Sequence, residues 1–469
     1  MIPVTRFAGK TVLVLGLARS GRAAARALAE GGARVLGADD GVAACAAAQA
    51  EGIDLIDPGE ALPEDVAAVV ASPGVPFSHP APHPLIRAAR ERDVPVVGDI
   101  ALFRTACPDV PLIGVTGTNG KSTTTALIGH LLQAAGRPTR IAGNIGRPIL
   151  AEEAPEPDTT VVLELSSYQL DLTLGLSCRV AVWLNLTPDH LDRHGDMDGY
   201  AAAKRRIFRG QTAGDWAVIG VDDPWGQAEA ERLRATNAGP RVVPVSVDDP
   251  QPGGVAVIGG LILDGLSGIP DGVGAVPDIS SLRGRHNAQN LGAAYAALRA
   301  LGVPAGRILE GLAGFEGLPH RMEPVGTIDG IACINDSKAT NPDAAATSLG
   351  CFDDILWIAG GKAKPGGFDA IEPVLPRIRR AFLIGEAEDA IARFLEGRVG
   401  VERSGTLERA LDHALAFAGG GRDGDASVIL LAPACASFDQ FADFEARGDC
   451  FRRLVGERAA SPSRKVSGS

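Results

Sequence analysis

Short apolar runs alternate along this chain with longer stretches whose apolar residues recur at helical spacing. Thr11–Leu15, Arg34–Ala38 and Val69–Ala71 read as buried strands, with Arg22 to Glu30 as a helix between the first two. The rhythm continues with Pro111 to Val115, Thr160 to Ser167 and Arg179 to Leu186 as strands, and Ser122 to Gln133 and Tyr200 to Arg209 as helices. Gly253 to Gly274 is glycine-rich with short apolar runs and predicts hairpins. Gly284 to Asn290 opens an alanine-rich helix reaching Leu301, and Leu318 to Glu323 reads as a hinge. Strands restart at Ile331 to Asn335, Ile355 to Ala359, Arg380 to Ile384 and Ser427 to Leu431, and Arg458 to Ser469 reads as a frayed polar tail. No internal repeat stands out beyond this alternation, which predicts an α/β protein with largely parallel sheets.

The chemistry sits where apolar runs end. Leu112-Ile-Gly-Val-Thr116 is followed by Gly117-Thr118-Asn119-Gly120-Lys121-Ser122-Thr123 and then by a helix. A strand, a glycine turn and a helix start make a phosphate cradle, because backbone N–H groups and the helix dipole face the anion. Lys121 has the reach for β- and γ-phosphates, and the Ser122 hydroxyl suits Mg²⁺. The stretch departs from the usual spacing, since Val115 stands where the first glycine belongs. The bland alternative is an ordinary turn with a solvated Lys121.

Other strand ends carry polar residues too. Gly16-Leu-Ala-Arg-Ser-Gly21 is an incomplete dinucleotide fingerprint, with Ala18 in place of the middle glycine; it binds a nicotinamide nucleotide, another nucleotide, or nothing. Glu164 ends a buried strand after the phosphate loop, a position that serves Mg²⁺. His190 and Asp192 read as metal ligands or as turn and cap residues. Lys204, Arg205 and Arg206 read as a solvated basic face unless other motifs say otherwise.

A chain of 469 residues exceeds a single core and predicts two to four domains. Its net charge of −12 argues against a general nucleic-acid or anionic-membrane surface. Seven scattered cysteines without a C-x-x-C pair argue against a zinc or disulfide framework and suit a reducing cytoplasm. Thr11 to Ala18 has a signal-like apolar run but leads straight into Arg19, Arg22 and Arg26, so it reads as a strand. No run approaches the ~20 apolar residues of a membrane span.

Thr116-Gly-Thr-Asn-Gly-Lys-Ser122, Glu164-Leu-Ser-Ser-Tyr-Gln-Leu170, Asp189-His190, His286-Asn287, His320-Arg321 and Asp336-Ser-Lys-Ala-Thr-Asn341 occur in this order. Through these motifs the chain resembles the ATP-dependent Mur ligases of peptidoglycan synthesis along nearly its whole length. The resemblance implies a Rossmann-like domain over 1–99 for a UDP-linked substrate, a P-loop ATPase-like domain over 100–317, and a Rossmann-like domain over 318–469 for the incoming amino acid. The stretches at Glu164 and Asp336 are similar to members that add D-glutamate. The implied substrates are thus ATP, UDP-N-acetylmuramoyl-L-alanine and D-glutamate, joined through an acyl phosphate.

By the same resemblance Lys121, Glu164, His190 and Lys204 are catalytic, and Ser122, Glu164, His190 and Lys204 serve two Mg²⁺ ions. An ammonium cannot ligate a metal, so Lys204 is implied to carry a carbamate. Gly117 to Thr123, Asn287, Asn290, Arg321, Asp336 and Lys338 match ATP positions; Asn144 and His190 lie toward the muramoyl-alanine carboxylate. Thr340, Lys364, Ser437 and Phe444 match D-glutamate positions, with Lys362 competing for the place of Lys364. Arg19, Ser20, Asp39, Asp40 and Ser72 fall at uridine and pyrophosphate positions, but Arg19 and Asp40-Gly41 depart from the family pattern. Domain closure and a cytoplasmic monomer are further expectations. Rival readings are a Mur-type ligase for another amino acid, a P-loop nucleotide switch, and a dehydrogenase resting only on Gly16 and Gly21.

Overall fold

The computed structural model describes residues 1–59, 61–144, 146–173, 175–277, 279–364, 366–419 and 428–460. It divides into two compact units, one of Met1–Val276 with Ala288–Ala313 and one of Pro277–Asn287 with Gly314–Ser469. Three sheets form the layers.

The first sheet comprises β1 (Thr11–Leu15), β2 (Arg34–Ala38), β3 (Asp54–Leu55), β4 (Val66–Ala71) and β5 (Val96–Val97). Its order is β3-β2-β1-β4-β5 and every pairing is parallel. Every residue of β1 is buried, as a central parallel strand covered on both faces requires.

The second sheet shares that unit. It comprises β6 (Leu112–Thr116), β7 (Thr139–Gly143), β8 (Thr160–Glu164), β9 (Val180–Trp183), β10 (Trp216–Gly220), β11 (Arg241–Ser246), β12 (Val255–Ile258), β13 (Leu261–Asp264) and β14 (Asp271–Ala275). The order is β14-β13-β12-β11-β10-β9-β6-β8-β7. Pairing is parallel from β7 to β12, and the glycine-rich stretch forms the expected antiparallel hairpins at one edge. After β6 the chain goes to the β7–β8 side and returns at β9 on the other side. Such a reversal opens a crevice at the carboxyl edge of the strands. Val115 pairs with Glu164, and Thr116 with Trp183, so the phosphate loop, Glu164 and the exit of β9 emerge at one level.

The third sheet belongs to the second unit and comprises β15 (Glu323–Ile328), β16 (Ile331–Asn335), β17 (Ile355–Gly360), β18 (Ile378–Ile384), β19 (Val401–Gly405) and β20 (Val428–Leu431). The order is β15-β16-β20-β17-β18-β19, parallel except for the β15–β16 hairpin. Asn335 and Ile358 both pair with Leu431, which brings the loops after β16, β17 and β20 to one edge. Among the core residues Trp357 is fully buried and donates from its indole to the Ala432 carbonyl at 2.8 Å, so its polar atom is satisfied.

Two elements differ from the sequence reading. The helix expected over Tyr200 to Arg209 runs Met197–Arg205, started by the Asp196 carboxylate accepting the Gly199 N–H at 2.8 Å, and tightens into a 3-10 turn at Arg206–Phe208. The last helix, Phe444–Ala460, takes in Arg458, whose guanidinium pairs with Asp412 and Glu408. The frayed segment therefore does not begin at Arg458; residues 461–469, like Ser427, lie outside the described residues.

Candidate active site

The loop after β6 leads into the helix Lys121–Ala134, capped at its start by Gly120 in the left-handed region with φ +84°. A Cβ at Gly120 would stand 2.1 Å from the Asn290 Oδ1, so glycine is required by both backbone and space. No side chain caps this helix start, which leaves its polar end suited to an anion. Lys121 folds along the loop, donating from Nζ to the carbonyls of Gly117 at 2.9 Å and Thr118 at 2.7 Å. Ser122 is buried; Thr118 and Thr123 are half-buried and Asn119 is exposed.

Lys204 is 1% exposed and donates to the same Gly117 carbonyl at 2.7 Å, with the Thr116 hydroxyl at 3.5 Å and the Tyr200 ring centroid at 4.7 Å. Burial first, and the neighbouring Lys121 second, push its amine well below the usual lysine range, against a weaker opposing pull from Asp189. The expected basic face is thus split: Lys204 turns inward, while Arg205 pairs with buried Glu229 and Arg206 with Asp171.

Glu164, 2% exposed, accepts from the Asn144 side-chain amide at 3.0 Å through Oε1. Its Oε2 is buried with no hydrogen-bond partner among the described residues. A buried carboxylate oxygen left in this state is costly unless a cation meets it. Gly143 lets the β7 and β8 backbones pack closely beside it, since a Cβ there would lie 2.2 Å from the Glu164 backbone carbonyl. The described residues hold no group of three His, Cys, Asp or Glu side chains placed to hold a metal ion. One carboxylate and a serine hydroxyl beside a phosphate loop suit Mg²⁺, which keeps few protein ligands and many waters.

His190 takes the left-handed conformation with φ +53° just before the short helix Leu191–His194. Its N–H donates to the Asp189 carboxylate at 2.9 Å, and Nδ1 lies 3.0 Å from the Tyr168 hydroxyl. Partial burial lowers its pKa, helped by Lys121 and Lys204 and opposed by Asp189. The same short helix is anchored twice more. Arg193 donates to the Val75 carbonyl, and buried His194 meets the Ser167 hydroxyl at 2.9 Å and the Asp171 carboxylate at 3.5 Å.

The first-sheet candidates are less gathered. Asp39 accepts from the N–H groups of Leu17 at 2.5 Å and Gly41 at 2.7 Å, and Ser72 donates to the Gly16 carbonyl at 2.6 Å. Both brace the turn after β1. A Cβ at Gly21 would lie 1.8 Å from the Gly16 carbonyl, so close packing accounts for this glycine pair. Ser20 is half-buried and Asp40 exposed, while exposed Arg19 reaches the Gly146 carbonyl at 3.5 Å.

In the second unit, buried Asp336 accepts from the Ser348 hydroxyl and from the Met322 N–H, and burial raises its pKa. Lys338 lies 3.9 Å over the Phe444 ring, and its N–H donates to the His320 carbonyl at 3.1 Å. Thr340 and Arg321 are half-buried, Ser437 is buried, and Lys362 and Lys364 are both exposed. Antiparallel bonds between Lys362 and Ala436 tie the β17 loop to the β20 loop. Asn287 donates to the carbonyls of Ser281 and Arg283, and the division between the two units runs between it and Asn290.

Several residues here went unread in the sequence. Tyr168 and His194 brace the histidine segment, and Arg447, 1% exposed, donates to the Ser337, Gly360 and Cys435 carbonyls and to the Ser337 hydroxyl. The available signal was position: Lys204 and Arg447 stand in register with the buried apolar stripes of their helices.

A phosphate loop with a buried carboxylate and a buried amine at one sheet edge defines a nucleotide-dependent enzyme of the P-loop type. Residues 115–298 match the Mur ligase middle domain, and residues 320–435 match the Mur ligase, glutamate ligase domain. Over 465 residues, covering 98% of each chain, the protein is 50% identical to the UDP-N-acetylmuramoylalanine--D-glutamate ligase of Phenylobacterium zucineum. It is 48% identical over 469 residues to the enzyme of that name from Rhodospirillum rubrum, covering 98% of this chain and 97% of that one. In fold it is similar to UDP-N-acetylmuramate-alanine ligase MurC from Thermotoga maritima, with a TM-score of 0.55 at 19% identity over 95% and 99% of the two chains. The chain belongs to the Mur ligase family.

Proposed function

We propose that this protein joins D-glutamate to UDP-N-acetylmuramoyl-L-alanine at the expense of ATP, as the relatives' names describe for them. The observation that carries the reading is the convergence of phosphate loop, Glu164 and Lys204 in a chain half identical, end to end, to ligases of that name.

In this reading the L-alanyl carboxylate attacks the γ-phosphorus of ATP, and ADP leaves. The amine of D-glutamate then attacks the acyl phosphate; a tetrahedral intermediate collapses to the amide and inorganic phosphate. Two anions meet in the first step, so cations must neutralise the developing charge. Lys121 leaves its loop carbonyls for the phosphates, with Gly117 to Thr123 as the cradle. Ser122, Glu164, His190 and Lys204 would hold Mg²⁺, which would supply charge neutralisation on the phosphate oxygens. Lys204 fits this set as a carbamate, an anionic oxygen donor made from its neutral amine and CO₂. Asn144 orients Glu164, and Asn144 with His190 faces the reacting carboxylate.

We assign Asn287, Asn290, Arg321, Asp336 and Lys338 to ATP, and Thr340, Lys364, Ser437 and Phe444 to D-glutamate. Arg19, Ser20, Asp39, Asp40 and Ser72 remain the candidates for uridine and pyrophosphate. In the last set Asp39 and Ser72 would act chiefly through the turn that they brace. We take residues 1–99, 100–317 and 318–469 as the three functional domains of a cytoplasmic monomer. No described helix is long and apolar enough to cross a membrane.

The test is phosphate release from ATP with UDP-N-acetylmuramoyl-L-alanine and one amino acid at a time: D-glutamate, L-glutamate, meso-diaminopimelate or L-lysine. Release with D-glutamate alone, one ADP per amide, supports the reading. Release only with another amino acid overturns the substrate, and no release with any overturns the ligase.

A further inference from the structure

A line of side-chain amides runs from the phosphate loop to Asp222. Asn185 lies two residues beyond β9. Asn119 donates its N–H to the Asn185 Oδ1 at 2.9 Å, and Asn185 Nδ2 donates back to the Asn119 carbonyl at 3.3 Å. The Thr118 N–H donates to the backbone carbonyl of Asn185 at 3.0 Å. Both polar backbone groups of Asn119, an exposed residue in the middle of the loop, are thereby held by one side chain.

The clamp is itself braced. Asn185 Nδ2 also donates to the Gln289 Oε1 at 3.0 Å, and Gln289 Nε2 donates to the Asp222 carboxylate at 3.2 Å. Asp222 is fixed by the Ser246 hydroxyl at 2.6 Å and the Val247 N–H at 3.2 Å. A carboxylate only accepts, so the direction of the whole line is set from that end. Gln289 must turn its NH₂ to Asp222 and its oxygen to Asn185. Asn185 must then turn its NH₂ to Gln289 and the Asn119 carbonyl, which leaves Oδ1 for the Asn119 N–H. Gln289 precedes Asn290, whose side chain fills the space against Gly120. The loop is therefore supported at two adjacent points.

We propose that Asn185, oriented by Gln289 and Asp222, is a positioning residue for the nucleotide: it holds the phosphate loop in its binding shape before ATP arrives. Ordering a glycine-bearing loop costs conformational entropy, and a loop ordered beforehand spares ATP binding that cost. This inference rests on the reading of the loop as the ATP site and deepens it.

Asn185→Asp is close in shape and keeps an acceptor for the Asn119 N–H. It loses the donors to Asn119 and Gln289 and sets two carboxylates at the ends of one glutamine. We expect the KM and Kd for ATP to rise about tenfold, as the loss of two hydrogen bonds implies, with kcat within about twofold and the KM for the UDP-linked substrate unchanged. Adding Asp222→Asn lets the line reverse: the new amide donates to Gln289, and Gln289 donates to the new carboxylate beside the loop. This double variant should recover part of the ATP affinity. Asn185→Ser, without charge, should show the same raised KM and serves if the aspartate variant does not fold. ATP binding of the wild type is titrated alongside. Wild-type ATP affinity in the Asp and Ser variants, or lost stability without lost ATP affinity, would overturn the inference. A wild type that binds no ATP would instead overturn the functional reading beneath it.

Discussion

Lys204 and Arg447 are each 1% exposed, and neither has a carboxylate in ion-pair range among the described residues. Burial penalises both charges, but the two side chains answer differently. Lysine can give up its proton, and Lys204 sits well below its usual range beside Lys121. Arginine keeps its charge: burial lowers Arg447 only to about 10, so it stays a cation at neutral pH. It spreads that charge over the carbonyls of Ser337, Gly360 and Cys435, which follow β16, β17 and β20 or end them. Equal burial thus weakens the hold on a proton in one place and fastens three loops in the other.

The hardest blow to this contrast comes at Lys204. Lys204→Ala should lose at least about a thousandfold in kcat, the scale of losing a main electrostatic element of a transition state, and added short carboxylates should restore part of it. Lys204→Arg should be as inactive, because a guanidinium forms no carbamate. Rates near wild type in unsupplemented Lys204→Ala would make the lysine merely structural. Arg447→Met should instead act on stability, costing about 3 kcal/mol for the carbonyls left buried and unpaired, read from urea denaturation. An unchanged midpoint would contradict the fastener.

A third buried base sharpens the comparison. His194, inside the Ser167 and Asp171 contacts, is held to about 4 by burial, reinforced by Arg193, His190 and Lys204. The unfolded chain takes up that proton near the ordinary histidine value of ~6.5, while the folded chain does not until about 4. Stability is therefore full above pH 6.5 and falls as pH drops from there toward 4, by about 3 kcal/mol. His194→Gln should flatten that slope in pH-dependent denaturation; an unaltered slope would assign it elsewhere. Exposed Arg19 should show the smallest effect: Arg19→Ala raises the KM for the UDP-linked substrate a few-fold, as a solvated cation near a phosphate allows. An unchanged KM would remove it from the pyrophosphate site.

What was legible in the sequence follows from distance along the chain. The phosphate loop is one contiguous strand, turn and helix start, so its place in the fold could be read from neighbouring residues. The parallel sheets are equally local, since uninterrupted apolar runs mean strands covered on both faces. Glu164 was readable as an acid at a strand tip, but its unpartnered oxygen arises only from how β6 and β8 align. Lys204 stood among arginines, and its burial depends on which face of one helix turns inward. Asp39 was readable as a strand-tip acid, but that its oxygens accept from Leu17 and Gly41 and shape the turn arises only in the fold. Asn185, Gln289 and Asp222 lie far apart in sequence, and only the second sheet and the helix Arg285–Ala300 bring them into line.

The central claim is that this edge of the second sheet activates a carboxylate by phosphorylation. Its most direct test uses UDP-N-acetylmuramoyl-L-alanine labelled with ¹⁸O in the alanyl carboxylate, turned over with ATP and D-glutamate. The account predicts one ¹⁸O atom in each released phosphate, carried there through the acyl phosphate. Phosphate free of label would contradict it.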